Sequence, residues 1–203
     1  MNTLNSLEEL TALYGEPGPA SLRKEADRVT PEYRAFIEQA RFAALATVGP
    51  EGMDCSPRGD KGPVAVIHDE KTLLVPDRRG NNRIDSLRNI VRDPRVSLMF
   101  MIPGSSTIIR VNGQAKISAD PDLLESLAED GKAPRSVIVL TIDRMYFQCA
   151  RALIRSDLWG DPDQDLVAAL PTPGQILANM TDGEVGGETY DHEWPERAAK
   201  SMW

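Results

Sequence analysis

Ala43-Ala-Leu-Ala-Thr-Val48 runs into Gly49-Pro-Glu-Gly52 and on into Met53-Asp-Cys-Ser-Pro-Arg58. A short apolar run, a turn, and a second run of strand length predict two antiparallel strands, the second folding back on the first. The pattern repeats downstream. Pro63–Ile67 and Thr72–Pro76 flank the turn His68-Asp-Glu-Lys71. Val96–Ile102, then Ile108–Val111 continuing past Asn112-Gly113 to Ile117, and Val137–Ile142 complete the set. Six or seven short, mostly sequential strands predict a mainly β fold, a meander that closes into a small barrel.

Helices interrupt and flank this meander. Residues 5–14 place Leu7, Leu10 and Leu13 on one face, with Asn5 or Ser6 available as the cap. Thr30-Pro31 starts a second helix carrying Tyr33, Phe36, Ile37 and Ala40. Asn81–Arg92 has Ile84, Leu87, Ile90 and Val91 at helical spacing and stops at Asp93-Pro94. Asp120–Asp130 begins with Asp-Pro and ends at Gly131. Phe147–Arg155 reads as helical, with Phe147, Ala150, Leu153 and Ile154 inward. Pro171 to Met180 offers a further helix, Gly183–Gly187 is loose, and Tyr190–Trp203 is a polar arm suited to a partner subunit.

The 203 residues, 41% hydrophobic and 27% charged, fit one globular domain with appended arms rather than a disordered chain. Apolar runs are of strand length, too short to span a membrane, and the acidic first 30 residues show no apolar signal segment. Cys55 and Cys149 form neither a disulfide framework nor a zinc pattern, and His68 and His192 are too few for a histidine metal cluster, so no metal is expected and a reducing cytoplasm is the expected compartment. The net charge of −8 argues against a nucleic-acid partner. Yet Arg78, Arg79, Arg83, Arg88, Arg92 and Arg95 crowd one segment against Asp85 and Asp93. A basic patch on an acidic protein suits a small anionic ligand.

Three segments carry candidate chemistry. In Pro76-Asp-Arg-Arg-Gly-Asn-Asn-Arg83 a strand ends, turns through Gly80 and enters a helix whose first amides, with Arg78, Arg79 and Arg83, would cradle a phosphate while Asn81 or Asn82 caps. A capped helix with solvated arginines explains the same residues equally well. Cys55-Ser-Pro-Arg-Gly-Asp60 offers Arg58 and backbone amides to an anion, although an ordinary turn is the plainer account. In Tyr146-Phe-Gln-Cys-Ala-Arg-Ala-Leu-Ile-Arg155, Arg151 and Arg155 share a helix face, with Trp159 beyond; the plainer account is an amphipathic helix with a buried Cys. His68 in a turn and His192 in the polar tail read as surface residues, and no Cys–His nucleophile arrangement is present.

The order of these segments resembles the pyridoxamine 5′-phosphate oxidase-like family. Ala44-Leu-Ala-Thr-Val-Gly-Pro-Glu-Gly is followed by Cys-Ser-Pro-Arg-Gly and by Leu73-Leu-Val-Pro-Asp-Arg-Arg-Gly-Asn-Asn-Arg-Ile-Asp-Ser-Leu-Arg-Asn-Ile. Asp93-Pro-Arg-Val-Ser-Leu-Met-Phe and Arg110-Val-Asn-Gly-Gln-Ala come next. The match covers roughly residues 30–160 and is similar to a subgroup of FMN-dependent enzymes whose substrate is unassigned. The resemblance implies a six- or seven-stranded antiparallel split barrel over 30–160, with a helical arm at 1–29 and a tail at 161–203 that packs on the barrel or the partner subunit. It also implies a homodimer with FMN at the subunit interface. One subunit would supply Ser56, Arg58, Val75, Pro76, Asp77, Arg78, Asn81, Asn82 and Arg83. Its partner would cover the ring with Gln148, Cys149, Arg151, Arg155 and Trp159. The implied activity is an FMN-dependent oxidoreductase acting on a small-molecule substrate or electron donor; the alternative is a non-catalytic FMN-binding protein for storage or sensing. The oxidases that make pyridoxal phosphate hold their substrate with a C-terminal Arg-x-His, whereas Tyr190-Asp-His-Glu-Trp194 has no arginine before His192, which points away from vitamin B6 oxidation.

Overall fold

The computed structural model describes residues 3–202. Its helices and strands, in chain order, are α1 (Leu7–Tyr14), α2 (Pro19–Arg23), α3 (Pro31–Ile37), β1 (Phe42–Gly49), β2 (Gly52–Gly59), β3 (Val66–Ile67), β4 (Thr72–Asp77), α4 (Asp85–Arg92), β5 (Arg95–Met101), β6 (Ile108–Ser118), α5 (Pro121–Ser126), β7 (Ser136–Gln148), α6 (Arg151–Ser156), α7 (Gln164–Ala168), α8 (Pro173–Met180) and α9 (Gly187–Ser201). The seven strands form one antiparallel sheet in the order β2-β1-β5-β6-β7-β4-β3. The β1–β2 hairpin pairs the two runs expected from the sequence, and its register sets Val48 opposite Met53 and Ala43 opposite Arg58.

The core follows the alternation of the strands. Ala43 and Leu45 of β1, Val96, Leu98 and Phe100 of β5, and Ile109, Val111 and Ala115 of β6 point inward. Val75 of β4 and Ile138, Leu140, Ile142 and Met145 of β7 join them, and Tyr33, Ile37 and Ala40 cap the cluster. Thr47 is also buried, and its hydroxyl oxygen accepts a hydrogen bond from the Asn89 amide of α4 at 3.1 Å.

The sheet curls until its two edges face each other. β3 pairs with Leu73 and Leu74 alone, so β4 is an open edge from Val75 to Asp77. β2, the opposite edge, reaches it through side chains. Arg58 donates to Asp77 at 2.9 Å, and Arg78 donates to Asp60 at 2.9 Å. The barrel is therefore split along a seam held by two ion pairs rather than by a backbone ladder. Asp60 is 5% exposed and Arg78 16%. Removing one member of a buried pair leaves the other's charge poorly solvated, so Asp60→Ala is expected to lower stability by about 2 kcal/mol. Urea denaturation measures this, and a change under about 0.5 kcal/mol, the surface-substitution range, would show that the seam needs no such pair.

Several expectations need correction. The helix expected over Asn81–Arg92 starts at Asp85, because the Asn81 side chain accepts from the Arg83 backbone N–H and holds residues 81–84 in a turn. Asn81 and Asn82 therefore do not cap α4, whose N-cap position is Ile84, without a side-chain cap. The left-handed residue of that turn is Asn82, at φ 61°, and Gly80 has no positive φ. Phe147–Arg155 is not one helix: β7 continues to Gln148 because Ile108–Val111 of β6 extend the ladder that far, and α6 follows. Leu153 is buried as expected, whereas Phe147 and Ile154 are 44% and 69% exposed, and Cys149 is exposed rather than buried. The helix of Asp120–Asp130 shortens to α5, and the strand of Pro63–Ile67 to its last two residues. The helix expected between Pro171 and Met180 is present as α8, with a Thr172–Gln175 capping box, and residues 181–186 form turns as expected; the polar arm from Tyr190 is instead part of α9, which packs on α8. Trp203, the end of the expected arm, and Met1 and Asn2 of the N-terminal arm lie outside the described residues. The apolar face predicted for the first helix exists, but Leu7, Leu10 and Leu13 are all exposed. No helix among the described residues is long and apolar enough to cross a membrane.

Candidate functional site

A cavity of about 170 Å³ opens beside the seam. Arg58 of β2 and Asp77 at the end of β4 form part of its wall. The 80–84 turn forms another side, Leu87 of α4 adds an apolar surface, and Arg135 and Ser136 close it at the head of β7. Arg58, Arg78, Arg83 and Arg135 line it against one carboxylate, that of Asp77. A recess with that balance attracts anions.

The arginines are held differently. Arg58 is 21% exposed and spends one terminal nitrogen on Asp77, which is 16% exposed, while its Nε is buried with no hydrogen-bond partner. Buried donors are nearly always satisfied, so this one is an unmet hydrogen-bonding group in the cavity wall. Arg78 donates to Asp60 and to the Leu127 carbonyl, holding the seam and the α5 end together. Arg83 is 81% exposed and donates to Asp85 at 2.6 Å. Arg135 donates to the Asn82 side-chain oxygen at 2.8 Å, fixing the left-handed residue of the turn. Burial pushes the Asp77 carboxyl above its ordinary pKa, opposed by the charge and hydrogen bond of Arg58 and by the charge of Arg135.

Of the residues expected to bind cofactor, the fold brings Arg58, Asp77, Arg78, Asn81, Asn82 and Arg83 to this cavity. Val75 and Pro76 lie beside them in β4 with buried side chains, leaving only their main chain to offer along the open edge. Ser56 stands apart. Its hydroxyl and that of Ser86 both donate to the same Asp54 oxygen, at 2.9 and 2.6 Å. These bonds, the one from Ser86 first, hold the Asp54 carboxyl below its ordinary pKa.

The other five expected residues are elsewhere in the chain. Gln148 ends β7, Cys149 follows it, Arg151 and Arg155 are exposed on α6, and the Trp159 indole donates to the Ser105 carbonyl at 2.8 Å. Since Asp77 pairs with Ser136, the cavity sits at the start of β7 and this group at its end. Twelve residue steps at about 3.3 Å give about 40 Å of strand between them. Arg135 and Ser136 were missed by sequence reasoning. The signal was available: pairing Thr72–Pro76 antiparallel with Val137–Ile142 places the residues just before Val137 opposite Asp77. Among the described residues no group of His, Cys, Asp and Glu is arranged to hold a metal ion, and His68 and His192 are exposed.

Comparison with known proteins places residues 29–149 under the family model described as pyridoxamine 5′-phosphate oxidase. No curated protein matches the chain. Among solved structures, HupZ of Group A Streptococcus is 18% identical over 60% of this chain and 94% of its own, with a TM-score of 0.49. A proposed pyridoxamine 5′-phosphate oxidase from Lactobacillus delbrueckii is 22% identical over 60% of this chain and 95% of its own, with a TM-score of 0.48. An F420 reductase is 23% identical over 58% of this chain and 98% of its own, with a TM-score of 0.43.

Proposed function

This chain belongs to the pyridoxamine 5′-phosphate oxidase family, and from that premise we propose that it is an FMN-dependent oxidoreductase that works as a homodimer. The observation that carries this reading is the buried, unpartnered Nε of Arg58 in a four-arginine cavity at the barrel seam. The residues fit the terminal phosphate of FMN: Arg58 and Arg135 supply forked donors, Arg83 adds charge at the mouth, and the Asn81 and Asn82 amides line the turn. Along the open edge of β4 the Pro76 carbonyl would face the rest of the nucleotide, whereas the Asp77 carbonyl already accepts from the Arg135 N–H. When bound, the flavin supplies the redox chemistry; the chain binds it, orients it and excludes water.

The placement favours a second subunit. The Gln148–Trp159 group lies at the far end of β7 from its own cavity, up to about 40 Å along the strand, and in a dimer it would cover the cavity of the partner. Phe147, Ile154, Leu158 and Trp159 leave apolar surface exposed at this end, at 44%, 69%, 51% and 38%. Surface of that kind is commonly an interface. The small-molecule substrate or electron donor would enter from the same interface, and no nucleic acid or membrane partner enters the proposal.

The absorbance spectrum of the purified protein tests the cofactor. A yellow preparation showing the visible bands of oxidised flavin, or a colourless one that keeps them after incubation with FMN and removal of the unbound flavin, is the expected result. A protein that is colourless once the unbound FMN has been removed ends the proposal. Light scattering should give twice the monomer mass. Turnover of a reduced nicotinamide with an electron acceptor distinguishes an enzyme from a protein that only stores or senses flavin.

A further inference from the structure

An anion cavity is an odd place for a carboxylate, yet Asp77 stands in its wall, 16% exposed and 2.9 Å from the guanidinium that the phosphate would need. We propose that Asp77 makes flavin-nucleotide binding proton-linked: the cavity takes the phosphate monoester together with one proton, which is shared between Asp77 and a phosphate oxygen. This rests on the reading of the cavity as the FMN phosphate site and goes beyond it by assigning the protonation state in which the ligand is held.

The argument starts from competition. Arg58 has a carboxylate on one terminal nitrogen and an empty Nε. A phosphate seated in the cavity brings its negative charge toward Asp77, because the Asp77 carboxylate is itself part of the wall. The surrounding charges do not remove the conflict. Arg135, at the head of β7, is the other cation acting on Asp77 and already donates to Asn82. Arg78, next in sequence, is turned to Asp60 and the Leu127 carbonyl. Arg83 lies on Asp85 at the rim. Asp54 of β2 adds a second acid acting through Arg58 rather than a cation, and Ser136, opposite Asp77 in the ladder, is uncharged. Two anions facing each other in a poorly solvated recess cannot both stay ionised cheaply; one takes up a proton. Burial already raises the proton affinity of Asp77 before any ligand arrives. A phosphate monoester has its second pKa near 6, about where such a proton is easily retained. The shared proton converts a repulsive pair into an O–H···O⁻ hydrogen bond of the strong, charge-assisted kind. The balance is one proton from solvent for each nucleotide bound as the dianion, with no other bond made or broken.

The sign is diagnostic. A site built from arginines alone prefers the dianion, so its affinity improves or stays level as pH rises through 6. A proton-linked site weakens as pH rises. FMN titrations followed by flavin fluorescence from pH 6.5 to 8.5 are expected to show Kd rising by up to about tenfold per pH unit, the slope of one linked proton. Calorimetry at pH 8 in two buffers of different ionisation heat should show uptake of about one proton. Riboflavin, which lacks the phosphate, should bind without this slope. Asp77→Asn should flatten the FMN profile and tighten binding at pH 8.5 at least tenfold. A level FMN profile in the unmodified protein, or an Asp77→Asn profile that keeps the slope, overturns the inference. If Asp77→Asn does not fold, the proton count on the unmodified protein still decides. FMN bound without proton uptake removes this inference alone, whereas failure of both FMN and inorganic phosphate to bind removes the anion site and the flavin reading with it.

Discussion

Arg58→Ala lowers FMN affinity at least tenfold, about 1.4 kcal/mol, and this is the largest binding loss expected from any single change at the cavity. A charged hydrogen bond is worth roughly 1.5–3 kcal/mol, and Arg58 lines the cavity with a guanidinium that donates to Asp77 through one terminal nitrogen. Its removal also leaves Asp77, 16% exposed, without the partner that opposes its desolvation. The variant should therefore lose about 1–3 kcal/mol of folding stability as well, which a urea melt of the apoprotein separates from the binding term. Arg58→Lys keeps the charge but not the planar fork, and should recover stability more than affinity. Arg83→Ala should cost less, about threefold or roughly 0.6 kcal/mol, because its side chain is 81% exposed and already lies on Asp85. Affinity within threefold of the unmodified protein for Arg58→Ala would show that the phosphate is gripped elsewhere.

Gly113→Ala should be the most damaging small substitution in the barrel. A methyl group at this position would lie 2.0 Å from the Thr141 carbonyl oxygen and 3.3 Å from the Ile142 Cα, both backbone atoms that cannot swing aside. The reason is local. The β6–β7 ladder slips between Asn112 and Gly113, where Asn112 faces Arg144 but Gly113 faces Ile142, so Asp143 bulges out of β7. The bulge bends β7 and draws its backbone against β6. Forcing atoms into such a contact costs about 3 kcal/mol, or a Tm lower by about 6–12 °C for a chain of this size. Gly62→Ala is the control, since nothing lies within 4 Å of a methyl group there; it should change Tm by less than about 2 °C. Equal melting of the two variants would refute the close approach at Gly113.

Much of the barrel is legible in the sequence because strands are local statements. The run from Ala43 to Arg58 contains its own turn and its own pairing partner, and the structure keeps that pairing. Errors gathered where a distant partner decides. Nothing in Phe147-Gln148 says that β6 will extend its ladder to meet them, so helical spacing looked sufficient. Asn81 and Asn82 look like caps because Asn is a good cap, and only the Asn81 bond to the Arg83 amide and the Arg135 bond to Asn82 show other duties. The cavity's basic character was visible in the arginine run. Which arginine faces inward was not, since Arg58 and Arg135 lie 77 positions apart in the sequence and share one cavity only once the sheet has curled. The family resemblance supplied the flavin and the partner subunit, neither of which the residues alone could yield.

The seam between β2 and β4 has a consequence for how the molecule comes apart. Everywhere else the wall is stitched by successive N–H···O=C bonds, so a local breach is resisted by its neighbours on either side. Along this one line two carboxylate–guanidinium latches do the joining, and each can release without the other. The cylinder thus has a preferred fracture line, and it runs beside the recess.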